Sequence, residues 1–360
     1  MVPASSNPLA VTAVCWLDTL KQLASTAELN RLDAIELLEA RSVLFDLYAQ
    51  PGRSPGGSCR FLRTTDGVIA LHLSRDDDWA LLPAWFQVDQ AIHAWDGIET
   101  AVAERSRHEL LPQGIDLGLA VACTDEKLPA SGTPPLVPSS RILKKPRVLD
   151  LSTLWAGPLC GQLLWLAGAD VTRIESRSRP DPSHSTNSAF HEHLNGGKRL
   201  QTVDFHSAHE INEFIGSLRH VDIVIESARP RALPQLGIDP RKMLERFPHL
   251  TWVSITAYGR QPFDGMRIGF GDDVGIAAGL STLLHEHTGT WDVVGDAIAD
   301  PLTGIRAAGL ALSSFCNGGG QLIDVHLVGC VQEAIEIASR DHGRSGLISD
   351  LAQWHHTTRC

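Results

Sequence analysis

The residues in this sequence best suited to chemistry are Asp300 and Pro301, in the run GDAIADPLTGIRAAG. Asp as N-cap with Pro at the first helical position starts a helix, and that structural duty alone accounts for both residues. Backbone N–H groups and the dipole at such an end keep a carboxylate ionised and lower its pKa. The same geometry displays it as a nucleophile. Two glycine-bearing turns are suited to anions. In DLSTLWAGPLCGQLL, Gly157 and Pro158 open a helix directly after a strand, where free N–H groups point outward; a plain strand–helix joint reads the same. The glycines there run G-x-x-x-G, so the dinucleotide fingerprint is missing, although Glu175 ends the next strand where a ribose-binding acid would stand. Asn195-Gly196-Gly197-Lys198-Arg199 carries two cations on a turn, suited to phosphate or simply to solvent. His184, His191 and His193, and separately His285 and His287, lack carboxylate or thiol partners at metal-site spacing, and no G-x-S-x-G is present.

These groups need a scaffold, and the hydrophobic pattern predicts an α/β one. Residues 10–50 read as helices, with Leu32, Ile35, Leu38, Val43, Leu44 and Leu47 near helical spacing and a stop at Pro51-Gly52. CRFLRTTDGVIALHL reads as a hairpin around Thr65-Asp66-Gly67, and IDLGLAVACT as a further strand. Residues 1–130 are therefore expected to form a small α+β domain, followed by a Pro-rich linker over 131–146. From 147 to 340, strand runs such as RVLDLS, DVTRIES, VDIVIES and TWVSITAYG alternate with helical runs. That alternation predicts βαβ units, a parallel sheet and ligands at the carboxyl ends of its strands. Residues 341–360 read as a polar, poorly anchored tail.

Composition narrows the partners. The 360 residues are 43% hydrophobic and 20% charged, with 31 basic against 42 acidic side chains, a net charge of −11. Nucleic acid and anionic membrane both require a basic face, so neither is expected as a partner. No apolar run nears the length of about 20 residues that spans a bilayer. The first residues, MVPASSNPLAVTAVCWLDTL, make a poor secretory signal. Seven scattered cysteines without a CxxC exclude a disulfide framework and the usual zinc spacings, and suit a reducing cytoplasm.

Taken in order, RVLDLSTLWAGPLCGQLLWLAGADVTRIES, LNGGKRLQTVDF, VDIVIESARPRALPQLGID, LTWVSITAYG, ADPLTGIRAAGLAL and GGGQLIDVHL make residues 147–340 resemble the class III CoA-transferases. This CaiB/BaiF superfamily includes formyl-CoA and carnitine-CoA transferases and α-methylacyl-CoA racemases. The resemblance implies a Rossmann-like large domain with CoA-binding loops, a smaller α+β domain, and an interlocked homodimer. Typical members place the small domain last. Here SPGGSCRFLRTTDGVIAL through AERSRHELLPQGIDLGLAVA looks like that domain placed first.

The resemblance also implies roles. Asp300 falls where the family has its catalytic aspartate, implying a covalent route in which CoA passes between carboxylic acids through an aspartyl anhydride and an aspartyl-CoA thioester. No resident cofactor or metal is implied; coenzyme A and acyl-CoA are substrates, and a carboxylic acid is the acceptor. Family CoA contacts map onto Thr153, Trp155 and Ala156, onto Asn195 to Lys198, and onto Ser227 to Arg229, with Arg173 and Arg177 as phosphate partners. Thr153 and Trp155 stand where formyl-CoA transferases have His and Gln, and Ser227-Ala228 replaces Asn-Phe. A glycine loop that covers the aspartate in some members corresponds to Pro55-Gly56-Gly57. The racemase branch uses a histidine where this chain has Phe270 or Gly271, neither of which accepts a proton; Asp272 or Asp273 would have to substitute. Transfer is therefore the expected chemistry, with racemisation, nicotinamide-dependent dehydrogenation and a non-catalytic CoA-binding subunit as alternatives.

Overall fold

Six short β-branched runs pair side by side in the computed structural model, which describes residues 7–128, 134–135, 144–178, 181, 188–260 and 266–359. They are β4 (Arg147–Asp150), β5 (Asp170–Ser176), β6 (Arg199–Val203), β7 (Ile223–Glu226), β8 (Thr251–Thr256) and β9 (Leu322–His326). All pairings are parallel, in the order β6-β5-β4-β7-β8-β9. The chain moves outward from β4 to β6 and then returns to lay β7 on the other side of β4. The reversal opens a crevice above the carboxyl ends of β4 and β7, which is where a doubly wound sheet takes its ligand.

The last helix before β9, Ala299–Cys316, is buried on all sides: from Ala299 to Ser314 every residue except Asp300 is buried. Small residues allow this. A Cβ on Gly304 would sit 2.8 Å from the Ala156 carbonyl, so its absence lets helix Ala156–Leu166 cross at close range. Helix Ala10–Leu23 covers another side, with Arg306 over the Trp16 ring at 5.1 Å.

The N-terminal region divides differently from the single module expected over 1–130. Leu9, Leu17, Leu20 and Leu38 share the core of the large sheet's helices. A separate core, built on Leu62, Ile69, Leu71, Trp85, Phe86 and Leu110, belongs to an antiparallel sheet of β1 (Cys59–Thr64), β2 (Gly67–His72) and β3 (Ala120–Cys123). The expected hairpin forms, with Thr64 opposite Gly67. Of the 131–146 linker, only 134–135 and 144–146 lie within the described residues; the Pro134 carbonyl accepts a hydrogen bond from Arg306 at 3.1 Å.

The tail expected over 341–360 is instead largely helix, Arg344–Thr357, anchored by fully buried Leu347 and Leu351 and by Trp354, whose Nε1–H donates to Glu39 at 3.1 Å. Apolar residues at i, i+4 and i+7 suffice to dock it, and the polar remainder masks them in the sequence. Among the described residues, no helix is long and apolar enough to cross a membrane.

One buried ion pair fixes the first turn of the crevice. Lys198 Nζ donates to Asp150 Oδ2 at 2.9 Å, to the Pro158 carbonyl at 2.7 Å and to Asn195 Oδ1 at 3.0 Å, filling its three donors. Asp150 in turn accepts the Ser152 N–H at 3.0 Å and the Ser152 hydroxyl. Replacing Lys198 with Met strands a buried carboxylate and is expected to cost about 3–5 kcal/mol in chemical denaturation. The double replacement Asp150→Asn/Lys198→Met should recover part of that loss.

Candidate active site

Asp300 is not the helix cap that its sequence predicts. Ile298 is the cap, and Asp300 is the second residue of the helix. The helix starts early because Gly295 and Ala297 adopt left-handed φ values of 72° and 46°, turning the chain so that the Ala297 carbonyl accepts the Asp300 N–H at 2.9 Å. A non-glycine residue in that region costs about 1–3 kcal/mol and persists only where its surroundings impose it. Here Asp272 Oδ1 accepts the Ala297 N–H at 2.7 Å.

The carboxylate of Asp300 also reverses the pKa expected of it. Burial pushes it up to about 7, and Asp272 adds to the rise. Arg41, the Ala156 N–H and His72 oppose the rise without cancelling it. Desolvation outweighs the helix dipole because the dipole supplies only a fraction of a charge. Gly271 lies against the carboxylate: a Cβ there would run into Asp300 Oδ2 and the Ala297 carbonyl.

Asp300 opens into a cleft of about 190 Å³ at the sheet's switch point. Thr153, Ala156 and Gly157 after β4, and Ser227, Ala228 and Arg229 after β7, form its walls. The two loops are locked together. Ser227 Oγ accepts the Thr153 N–H at 3.1 Å, and Glu226 Oε2 accepts the Ala228 N–H at 2.8 Å while its other oxygen pairs with Arg260 at 3.0 Å. Leu154, half exposed between them, carries φ +70°. Arg75 and Phe270 line the same cleft. Arg229 thus meets a second guanidinium from the N-terminal module; burial, Arg75 and Arg231 together lower its pKa.

The structure therefore brings Asp300, Thr153, Ala156, Ser227 and Arg229 together and directs the other expected contacts elsewhere. Trp155 turns into the core, edge-on to Phe190 at 4.9 Å and beneath Arg41 at 5.4 Å, because it precedes a helix packed against that core. Arg173 is buried and held by Glu175 at 2.9 Å, Asp181 at 2.7 Å and His191 at 2.8 Å. Asn195 and Lys198 are joined to each other and to the β4 turn, so their polar groups serve the scaffold. Arg177 is exposed and paired with Glu210 at 3.1 Å. The Pro55-Gly56-Gly57 loop lies near Arg41, whose Nη2 is 3.7 Å from the position of a Cβ on Gly56.

Several groups at the site carry no local sequence signal. Arg41 clamps Asp296, with Nε 2.8 Å from Oδ2, beside the Asp300 turn. Asp273 accepts the Phe270 N–H at 2.8 Å and faces His72 at 3.3 Å. The Arg41, His72 and Arg75 contributions come from far away in sequence, where only tertiary contact could reveal them. Gly271 and Asp273 did stand out in the sequence, but only at the racemase-histidine position and not for these contacts.

Comparison with known proteins agrees with this architecture. The chain is 27% identical over 200 residues to an acyl-CoA transferase of Fusarium pseudograminearum, covering 50% of this chain and 44% of that protein. It is 25% identical over 216 residues to a formyl-CoA:oxalate CoA-transferase of Afipia carboxidovorans, covering 57% and 51%. The crystal structure of a hypothetical protein from Mycobacterium tuberculosis superposes with a TM-score of 0.50 and 25% identity over 59% of each chain. The chain spans about half the length of the curated relatives it matches. The model of CoA-transferase family III matches residues 143–347, more than half of the sequence, and the protein belongs to that family, the class III CoA-transferases.

Proposed function

We propose that this protein transfers CoA between carboxylic acids, with Asp300 as the nucleophile. The observation that carries the reading is a desolvated carboxylate lining a cleft at the sheet's switch point, beside the start of helix Ala156–Leu166. An Asp300 oxygen attacks the thioester carbonyl of acyl-CoA; the C–S bond breaks, giving an aspartyl anhydride and CoA thiolate. The thiolate then attacks the aspartyl carbonyl and expels the first carboxylate, leaving an aspartyl-CoA thioester. The acceptor carboxylate attacks that thioester, releasing thiolate and forming a second anhydride. Thiolate attack on the acceptor's acyl carbon yields the new acyl-CoA and returns Asp300. Every step joins groups already held in one cleft, which replaces bimolecular encounters with intramolecular ones. In this reading the free N–H groups at the start of helix Ala156–Leu166, which opens on the cleft, stabilise the oxyanions.

Arg229, crowded by Arg75, gains most from an anionic ligand, which suits the phosphates of CoA. Phe270 lines the cleft at the position of the racemase histidine, while Asp272 and Asp273 are buried outside its lining; both points favour transfer over α-proton exchange. We take the working unit to be a homodimer, as the resemblance implies, in the reducing cytoplasm that the scattered cysteines suit.

Two measurements test the reading. In a screen of acyl-CoA donors against carboxylate acceptors, Asp300→Asn should lower kcat by more than about 10³-fold. With acyl-CoA present, hydroxylamine should attack the activated Asp300 carbonyl, expelling carboxylate or CoA thiolate, and leave a hydroxamate on Asp300 of the unmodified protein; undiminished transfer by Asp300→Asn would remove the nucleophile. The second is pH dependence. Burial favours the neutral acid and only the carboxylate attacks, so the reactive fraction grows with pH. The kcat/KM profile should rise through about 7 and level off above it. A profile already flat at pH 5 would contradict this.

A further inference from the structure

We propose that His72, supplied by the N-terminal sheet, is a positioning residue for Asp300: its imidazole faces Asp273, and that contact fixes the Phe270–Gly271 turn against the carboxylate. The inference rests on the reading of Asp300 as nucleophile and adds a residue that does not line the cleft.

The contacts form a continuous path. His72 ends β2 and is buried, with Nδ1 3.3 Å from Asp273 Oδ1. Its ring packs on Phe270 with centroids 4.7 Å apart. Asp273 is fully buried, and its Oδ1 accepts the Phe270 N–H at 2.8 Å, which starts helix Gly271–Ala277. Gly271 in that first turn abuts Asp300, and the adjacent Asp272 holds the Ala297 N–H beneath it. Two consecutive aspartates thus point in different directions, one to the N-terminal sheet and one to the turn that presents the nucleophile.

Charge makes the pairing more than packing. Asp272, Asp273, Asp296 and Asp300 crowd one region, and Arg41 is committed to Asp296. The groups facing His72 are Asp273 and Asp272 from helix Gly271–Ala277, Arg41 from helix Ala34–Leu44, and Cys59 directly across the β1–β2 ladder. Tyr258 and Arg267 act on Asp273 as well. Burial opposes it, but the two aspartates raise the pKa of His72 above its ordinary value, and His72 in turn lowers that of Asp300.

The test uses His72→Asn, which keeps an N–H near Asp273 but loses the charge, and His72→Leu, which loses both. The carboxyl ¹³C titration of Asp300, assigned with Asp300→Asn, reads its protonation without reference to turnover. Both variants should move the Asp300 midpoint upward by at least about half a pH unit, with kcat reduced near neutrality and KM for acyl-CoA unchanged. Activity of His72→Asn should recover at high pH, where the carboxylate ionises again. An unmoved midpoint alongside a lowered melting temperature would make His72 an ordinary core residue and overturn the proposal. If His72→Leu fails to fold, His72→Asn decides alone. A shifted carboxyl titration in a protein without transferase activity would sink the nucleophile and leave the positioning role standing.

Discussion

A carboxylate is a useful nucleophile toward a thioester only when stripped of most of its water, and stripping that water raises its affinity for a proton. Asp300 sits at this balance. Burial carries it to about 7, and Arg41, the Ala156 N–H and His72 hold it from going further. A fully solvated aspartate would be ionised but sluggish; one sealed without counter-charges would stay neutral throughout the physiological range. Other features around the site are ways of holding a costly group at that point.

Close approach supplies the geometry. Gly304 lets helix Ala156–Leu166 cross near enough for the Ala156 N–H to reach the carboxylate, and Gly271 lets a second helix start rest directly on it. Neither contact tolerates a Cβ without displacement. The left-handed Ala297 and Leu154 place backbone strain beside Asp300 and in the facing loop, held by Asp272 and by the Ser227–Thr153 bond. The switch between β4 and β7 places these loops opposite one another, so that sheet topology alone decides where the cleft lies.

The alternation of strands and helices from Arg147 onward was legible because parallel strands buried on both faces read as continuous apolar runs. Asp300 was legible by its motif, but its local geometry was not: the Asp-Pro signal for a helix start was overridden by a turn two residues earlier, imposed by Asp272 from another helix. Sequence likewise marks Arg173 and Lys198 as cations without showing whether a carboxylate already owns them. Asp181 and Asp150 do, from positions that no spacing rule connects. The C-terminal helix was missed because three apolar side chains on one face dock it while its average composition remains polar.

The division of charge along the chain ties these observations together. The four crowded carboxylates lie between Asp272 and Asp300, whereas Arg41 and His72, the cations that face them, lie in the first fifth of the sequence. Arg267, close to them in sequence, acts on Asp273, but Asp296 takes its guanidinium from Arg41. Docking the N-terminal helices and hairpin sheet onto the large sheet therefore does more than bury apolar surface: it delivers the guanidinium that pairs with buried Asp296 and sets His72 beside buried Asp273. A domain placed first in the chain can do this as well as one placed last, because the requirement is a spatial one. What matters is that Arg41 reaches Asp296 and that β2 ends with His72 beside Asp273, and the order in which the chain visits those positions is immaterial to the electrostatics.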